Sequence, residues 1–272
     1  MSAGVTLFLR TMMGRAYPRI VGSVRQTSGF FWETVLPILS VTAFVFVYRA
    51  LNAPEAYIGF VIIGGAMTAF WANMLWSMAA QLYWDKEAGN LALYILAPGP
   101  LMAILLGMAV GGMLWTLTRA VVIFIAGVLL FGVQFSSANL GLLALTFLLT
   151  MAALYGLGML FASLFLMFGR EAWHLTNLFQ EPVYLLSGFY FPVKALGPWL
   201  AAAASLIPLT LGLDAMRQLL FPAHPLYGFL SVPVELGVLT LLAAVFILGA
   251  RLALDRMEMR ARQEGRLTES RS

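Results

Sequence analysis

Residues 187–217 read SGFYFPVKALGPWLAAAASLIPLTLGLDAMR and lie between two long apolar runs. Pro192, Pro198 and Pro208 each remove a backbone donor, so no membrane-crossing helix of about 20 residues fits between them. The segment is also too apolar for a solvated loop. Irregular backbone at membrane depth is tolerated only where protein or a water-filled cavity satisfies its polar groups. These residues therefore predict a re-entrant element that dips into a bilayer from one side and caps what lies beneath it. Such a shape points towards transport.

The rest of the chain supports a membrane setting. It is 61% hydrophobic and 10% charged, with a mean hydropathy of +0.90, whereas charged residues make up about a quarter of soluble domains. A length of 272 residues leaves no room for a sizeable soluble module beside such a domain. With no cysteine and only His174 and His224, disulfides and thiolate metal sites are excluded, and no bound metal is expected. The net charge of +4 reflects the placement of arginines along the membrane, and nucleic acid is not an expected partner.

Apolar runs predict six spans at roughly 31–51, 57–82, 101–133, 140–168, 173–191 and 229–254. An even number puts both termini on one side. If the N-terminus is cytoplasmic, twelve Lys/Arg fall in cytoplasmic segments, from Arg10 to Arg271. Three (Arg49, Lys194 and Arg217) then fall outside, and Arg119 lies within a span. That asymmetry places both termini in the cytoplasm. Upstream of the first span, no cleavable signal peptide is expected. Val5, Leu9, Met12, Met13, Ala16, Tyr17, Ile20 and Val24 gather on one side of a helix and Arg10, Arg15, Arg19 and Arg25 on the other. This predicts an amphipathic interfacial helix that Pro18 would kink or split.

Residues 84–100, WDKEAGNLALYILAPGP, form the one internal cytoplasmic stretch with both a charge cluster and a short helical apolar repeat, ended by Pro98 and Pro100. A short helix lying flat at the membrane surface is expected, well placed to be pushed by a partner. The chain carries no phosphate-cradling Gly-Lys-Ser/Thr loop, no nucleophile elbow and no zinc-protease motif. ATP hydrolysis by a phosphate loop is excluded, and intrinsic enzymatic activity is not expected. The remaining chemistry rests with the ionisable residues near membrane depth, Glu33, Arg119, Glu181, Asp214, Arg217 and Glu235, whose burial is costly. Glu33 reads as structural, snorkelling or pairing with Arg25. Asp214 and Arg217, three apart, read as a local ion pair. Arg119 fits either structural pairing or the lining of a path. Glu181, beside Pro182 and followed by Tyr184, is the leading cavity-facing candidate. Phe189 and Phe191 fit a pathway, a dimer seam or an interfacial belt. Gly107/Gly111 and Ala152/Gly156 permit close helix approach.

Two series of residues carry a family resemblance. Ser187-Gly188-Phe189-Tyr190-Phe191-Pro192, then Leu196, Trp199, Ile207-Pro208-Leu209-Thr210 and Asp214 to Arg217, resembles the external re-entrant region of the membrane subunit of type 2 ATP-binding-cassette exporters. Gly197-Pro198 stands where Leu-Pro is usual. Lys86-Glu87-Ala88-Gly89 through Leu93 to Pro98 is similar to that family's coupling segment, with Asn90 in place of Thr. The resemblance covers nearly the whole chain. It implies an all-α permease of six transmembrane helices forming one domain over residues 1–272. The interfacial helix would occupy 1–29, the coupling segment 83–100, the external re-entrant region 187–225 and a cytoplasmic tail 255–272. It also implies separate ABC ATPase subunits that bind ATP and Mg, with no cofactor in this chain. A second permease chain, identical or related, would complete the pathway in a prokaryotic cytoplasmic membrane. Asp85, Lys86, Glu87, Leu91 and Tyr94 are the implied coupling residues; Arg119, Glu181, Tyr184, Phe189 and Phe191 are the candidates for the substrate pathway. The expected cargo is amphipathic: a drug, a lipid, a lipid-linked glycan or a peptide. A self-sufficient ion-coupled secondary transporter and a non-transporting assembly factor are the other readings of the composition.

Overall fold

A computed structural model describes residues 3–25, 27–136, 139–168, 172–222 and 228–264. The described residues are 85% helical, with no strand among them. Among the described residues, five helical runs are long and apolar enough to cross a bilayer: Ser28–Ala50, Ala56–Glu87, Leu101–Phe131, Leu140–Phe165 and Val232–Arg256. The chain is thus an all-α membrane protein, and these runs occupy five of the six predicted spans.

The second run is the hub. Helix α3 (Ala56–Met74) is apolar on every face, which suits a helix enclosed by others. It packs against α2 (Thr27–Ala50), α6 (Leu101–Phe131) and α10 (Pro208–Leu220). Phe60, Phe70, Trp71 and Met74 of α3 lie within the core, and Leu75, Met78 and Leu82 continue it. Between α3 and α4 (Gln81–Glu87) the backbone widens into a π-helical stretch, Leu75–Ala79. Such bulges insert one residue and frequently mark functional sites. Gly89, with a φ of 77°, then turns the chain into α5 (Asn90–Leu96).

Helix α1 (Ala3–Arg25) runs through Pro18 without splitting, and it lies along α6. A Cβ on Gly107 would strike the Met12 carbonyl, and one on Gly111 would lie 2.9 Å from that of Ala16. The small-residue pair therefore receives α1, not another of the predicted spans. Helix α7 (Leu140–Phe168) pairs along its length with α11 (Val232–Glu264), whose continuation carries the tail as helix as far as Glu264.

The predicted fifth span differs most. Helix α8 (Ala172–Leu186) has 15 residues, about 22 Å at 1.5 Å per residue, short of a hydrocarbon core of about 30 Å. It stops at Leu186 and not Phe191, because Gly188 takes a φ of 68° and turns the chain. After a 3₁₀ turn at Val193–Leu196 come α9 (Pro198–Ala204) and α10, each with proline in its first turn and bent from one another by 110°. This broken pair occupies the stretch predicted as the cap. Arg170, His224 and Pro225 lie outside the described residues.

Candidate functional site

The polar chemistry gathers at the two ends of the α3 hub. At the cap end, the turn after α8 is driven into the bundle. A Cβ on Gly64 would coincide with the Phe189 carbonyl, and Gly64 lies eight residues beyond the start of α3, about 12 Å into the bundle. The pin is Arg217 of α10, which is buried. Its Nη2 donates to the carbonyls of Phe60 (3.0 Å) and Phe189 (2.8 Å), and Nη1 donates to that of Phe191 (3.2 Å). Its guanidinium also lies over the Phe60 ring, 5.2 Å from the centroid. One fork of donors thus satisfies the carbonyls of an irregular turn at membrane depth, as such backbone requires. Tyr48 Oη donates to the Tyr190 carbonyl at 2.9 Å, and the Phe44 and Tyr190 rings stack at 4.2 Å.

The expected Asp214–Arg217 pair is replaced by two separate duties. Asp214 accepts from the Phe229 amide (2.7 Å) and from Gln218 Nε2 (3.1 Å). Gln218 in turn reaches the Leu230 carbonyl (2.8 Å) and Glu235 (3.2 Å), tying α10 to the start of α11. The side chain of Glu235 is wholly buried.

At the opposite end Asp85 is the centre of a node. It is buried and accepts from Arg15 Nη2 (2.7 Å), Tyr94 Oη (3.1 Å) and Gln81 Nε2 (3.1 Å). The Arg15 guanidinium also lies 5.1 Å from the Tyr94 ring centroid. Burial raises the Tyr94 phenol above its ordinary range, with the Arg15 charge opposing, so the phenol stays a donor at neutral pH. The node joins α1, α4 and α5. Of the implied coupling residues, Asp85 and Leu91 are buried and Tyr94 and Lys86 half-buried, while Glu87 is exposed. Trp84, Leu93 and Leu96 are exposed beside it, Leu96 at 81%. Positions 93 and 96 share a helical face, so α5 offers an apolar edge flanked by the charge of Glu87.

The pathway candidates separate. Phe189 is wholly buried, 5.6 Å ring to ring from the half-buried Tyr184. Phe191 is half-buried and gives its carbonyl to Arg217. Glu181 is exposed on α8, on the same side as Leu178, Pro182 and Leu185. Arg119 is buried, ion-paired with Glu33 and bonded to Thr116 Oγ1 at 3.1 Å. Glu33 therefore pairs across to α6 and not back to Arg25. Arg119 and Glu33 line a cavity of about 280 Å³ together with Arg19, Asn73, Ser77 and Trp115. Arg19 donates from Nη2 to the Ser77 carbonyl within the π stretch. Two further cavities share no lining residue with it. One of about 660 Å³, at the cap end, is lined by Arg49, Asn52, Glu55 and Gln134 among others. The other, of about 420 Å³ and apolar, lies among α3, α6, α7 and α10.

Sequence reasoning missed Arg15, Arg19, Gln81 and Gln218 as partners of these groups. The arginines carried a signal, being four apart on one helix face, but that face reads equally as headgroup-facing. Among the described residues no group of three His, Cys, Asp or Glu is placed to hold a metal ion.

No curated protein matches the chain. The profile of the ABC-2 type transporter family matches residues 12–221, from within α1 through the α3 hub to the residue after α10. That match covers well over half of the 272 residues. The chain therefore belongs to the ABC-2 type transporter family, as a transmembrane component of an ABC transporter.

Proposed function

We propose that this chain is the permease subunit of an ATP-driven exporter that moves an amphipathic substrate (a drug, a lipid or a lipid-linked glycan) outward across a prokaryotic cytoplasmic membrane. The family implies association with an ABC ATPase. In this reading the ATPase docks on the α4–α5 end, which is cytoplasmic along with both termini, and ATP and Mg stay with it. A second permease chain completes the pathway, and the cap faces outward. The observation that carries the reading is the pairing of a pinned, re-entrant cap at one end with the exposed Trp84, Glu87, Leu93 and Leu96 at the other. An apolar edge with a charge beside it suits a partner that must grip and push a short helix. Asp85 and Tyr94 would pass that push to α1.

The rival from another class is an ion-coupled secondary transporter, and the buried carboxyls of Asp214 and Glu235, linked through the half-buried Gln218, are the observation in its favour. Reconstitution separates the two. The purified chain alone in liposomes is expected to be inert, with ATP-dependent flux appearing when the co-purifying ATPase is added. Flux driven by a proton or sodium gradient through the lone chain would overturn the proposal.

A further inference from the structure

The cavity of about 280 Å³ around Arg19 and Arg119 has a chemistry that neither the cap nor the coupling edge uses. It opens where the interfacial helix α1, the first turns of α2, the end of the hub and the middle of α6 meet. Gly22 and Gly29 of its lining have nothing within 4 Å of a built Cβ, which keeps it roomy, and the Phe30 and Trp115 rings meet edge to face at 5.4 Å beside it. The charge count is uneven. Arg19 and Arg119 bring two positive charges and Glu33 one negative, while the neighbouring Arg15 is already matched by Asp85. The donors are also incompletely used. Arg119 spends Nη1 on Glu33 and Nη2 on Thr116, and its buried Nε has no hydrogen-bond partner among the described residues. Arg19 spends Nη2 on the Ser77 carbonyl.

We propose that this cavity binds the phosphate of a lipid headgroup from the leaflet at the α1 end, between the Arg19 and Arg119 guanidiniums. A phosphodiester carries one negative charge, which matches the one left over, and its oxygens suit guanidinium forks. The level is right for a headgroup. Glu33 lies close to the start of the apolar run Ser28–Ala50, and Ser77 and Gln81 belong to the last turns of Ala56–Glu87. The apolar rings at the mouth would meet the glycerol and upper acyl chains. Burial pushes the Arg19 guanidinium down to about 10, with the Arg15 charge adding to the effect, yet Arg19 remains charged at neutral pH. The inference needs only that the chain spans a bilayer, so it stands or falls separately from ATP-driven export.

The test is native mass spectrometry of the full-length chain in detergent, with phosphatidylglycerol or the phosphate-free diacylglycerol of identical tails added. The wild type is expected to retain one phosphatidylglycerol with a preference of about tenfold, the scale of one charge-assisted contact. Arg19→Gln, which keeps a donor for the Ser77 carbonyl, and the charge-neutral pair Glu33→Gln/Arg119→Gln should each abolish that preference. Arg19→Lys should keep part of it. Arg10→Gln, an exposed α1 arginine outside the cavity, should leave it unchanged. Equal retention of the two lipids by the wild type would overturn the proposal, and this comparison needs no variant to fold. Loss in Arg10→Gln equal to that in Arg19→Gln would overturn it as well. Displacement of the lipid by inorganic phosphate would overturn the assignment to a lipid.

Discussion

The two ends of the hub each hold an arginine, and they use it in opposite ways. At the cap, Arg217 faces main-chain carbonyls on three sides, and its contacts bind one irregular turn to α3. At the other end, Arg15 faces a carboxylate and a phenol whose helices also present exposed side chains to the surroundings. A fork of carbonyl bonds fixes backbone, and nothing in it can be exchanged without unsatisfied groups at membrane depth. An ion pair and its hydrogen bonds, shared between α1 and two short helices, are softer, because their members can shift together and water can replace one partner. The contrast suggests a fixed lid and a movable handle at opposite ends of one buried helix.

Four experiments can break or sharpen that contrast. The largest effect is expected from Gly64→Val, since its side chain must displace the Phe189 main chain and not a flexible tip. The cap should be expelled and the folded protein lost, or destabilised by more than about 3 kcal/mol, as read by thermal unfolding in detergent. Arg217→Met comes next. It leaves the carbonyls of Phe60, Phe189 and Phe191 without their donor, at a cost of about 3 kcal/mol, and Arg217→Lys should rescue little because an ammonium lacks the fork. The handle should respond less. Arg15 is partly exposed, with 27% of its side chain accessible, so a double-mutant cycle of Arg15→Ala and Asp85→Ala should give a coupling of about 1 kcal/mol. A coupling as large as the Arg217 effect would erase the difference between the ends. Smallest for stability is Glu87→Arg, within about 0.5 kcal/mol because the residue is exposed. It should still weaken ATPase association by reversing a charge at the proposed interface. Normal assembly and transport in that variant would put the docking surface elsewhere.

The cap was the more legible region because proline and glycine are local signals. Pro192, Pro198 and Pro208 forbid a continuous span whatever surrounds them, and the 110° break between α9 and α10 is the result. Its pin was not legible as such. Arg217 and Asp214 read as a local pair by spacing, while their actual partners lie as far off as Phe60. The coupling segment was legible as a motif but not in phase. The π-helical stretch Leu75–Ala79 inserts a residue upstream of Asp85, rotating everything after it by about 100° relative to a regular helix. The inward turn of Asp85 and the outward turn of Glu87 could therefore not be counted from the core residues of α3, and the left-handed turn at Gly89 breaks the phase again before Leu91. Glu33 illustrates the other limit. Its partner Arg119 stands on a different span, and no spacing rule connects positions so far apart in the chain. The predicted fifth span overran its helix because Ser187 to Phe191 is as apolar as the residues before it; only Gly188 marked the stop.

The opposed placement of lid and handle is tested most directly by single cysteines in this naturally cysteine-free chain. Lys194 of the cap and Glu87 of the coupling edge are both exposed, so either should react if the reagent reaches its side of the membrane. With an impermeant thiol reagent on intact cells, Lys194→Cys should label at once and Glu87→Cys only after permeabilisation. Labelling of Glu87→Cys in intact cells, or protection of Lys194→Cys until the membrane is opened, would contradict the account.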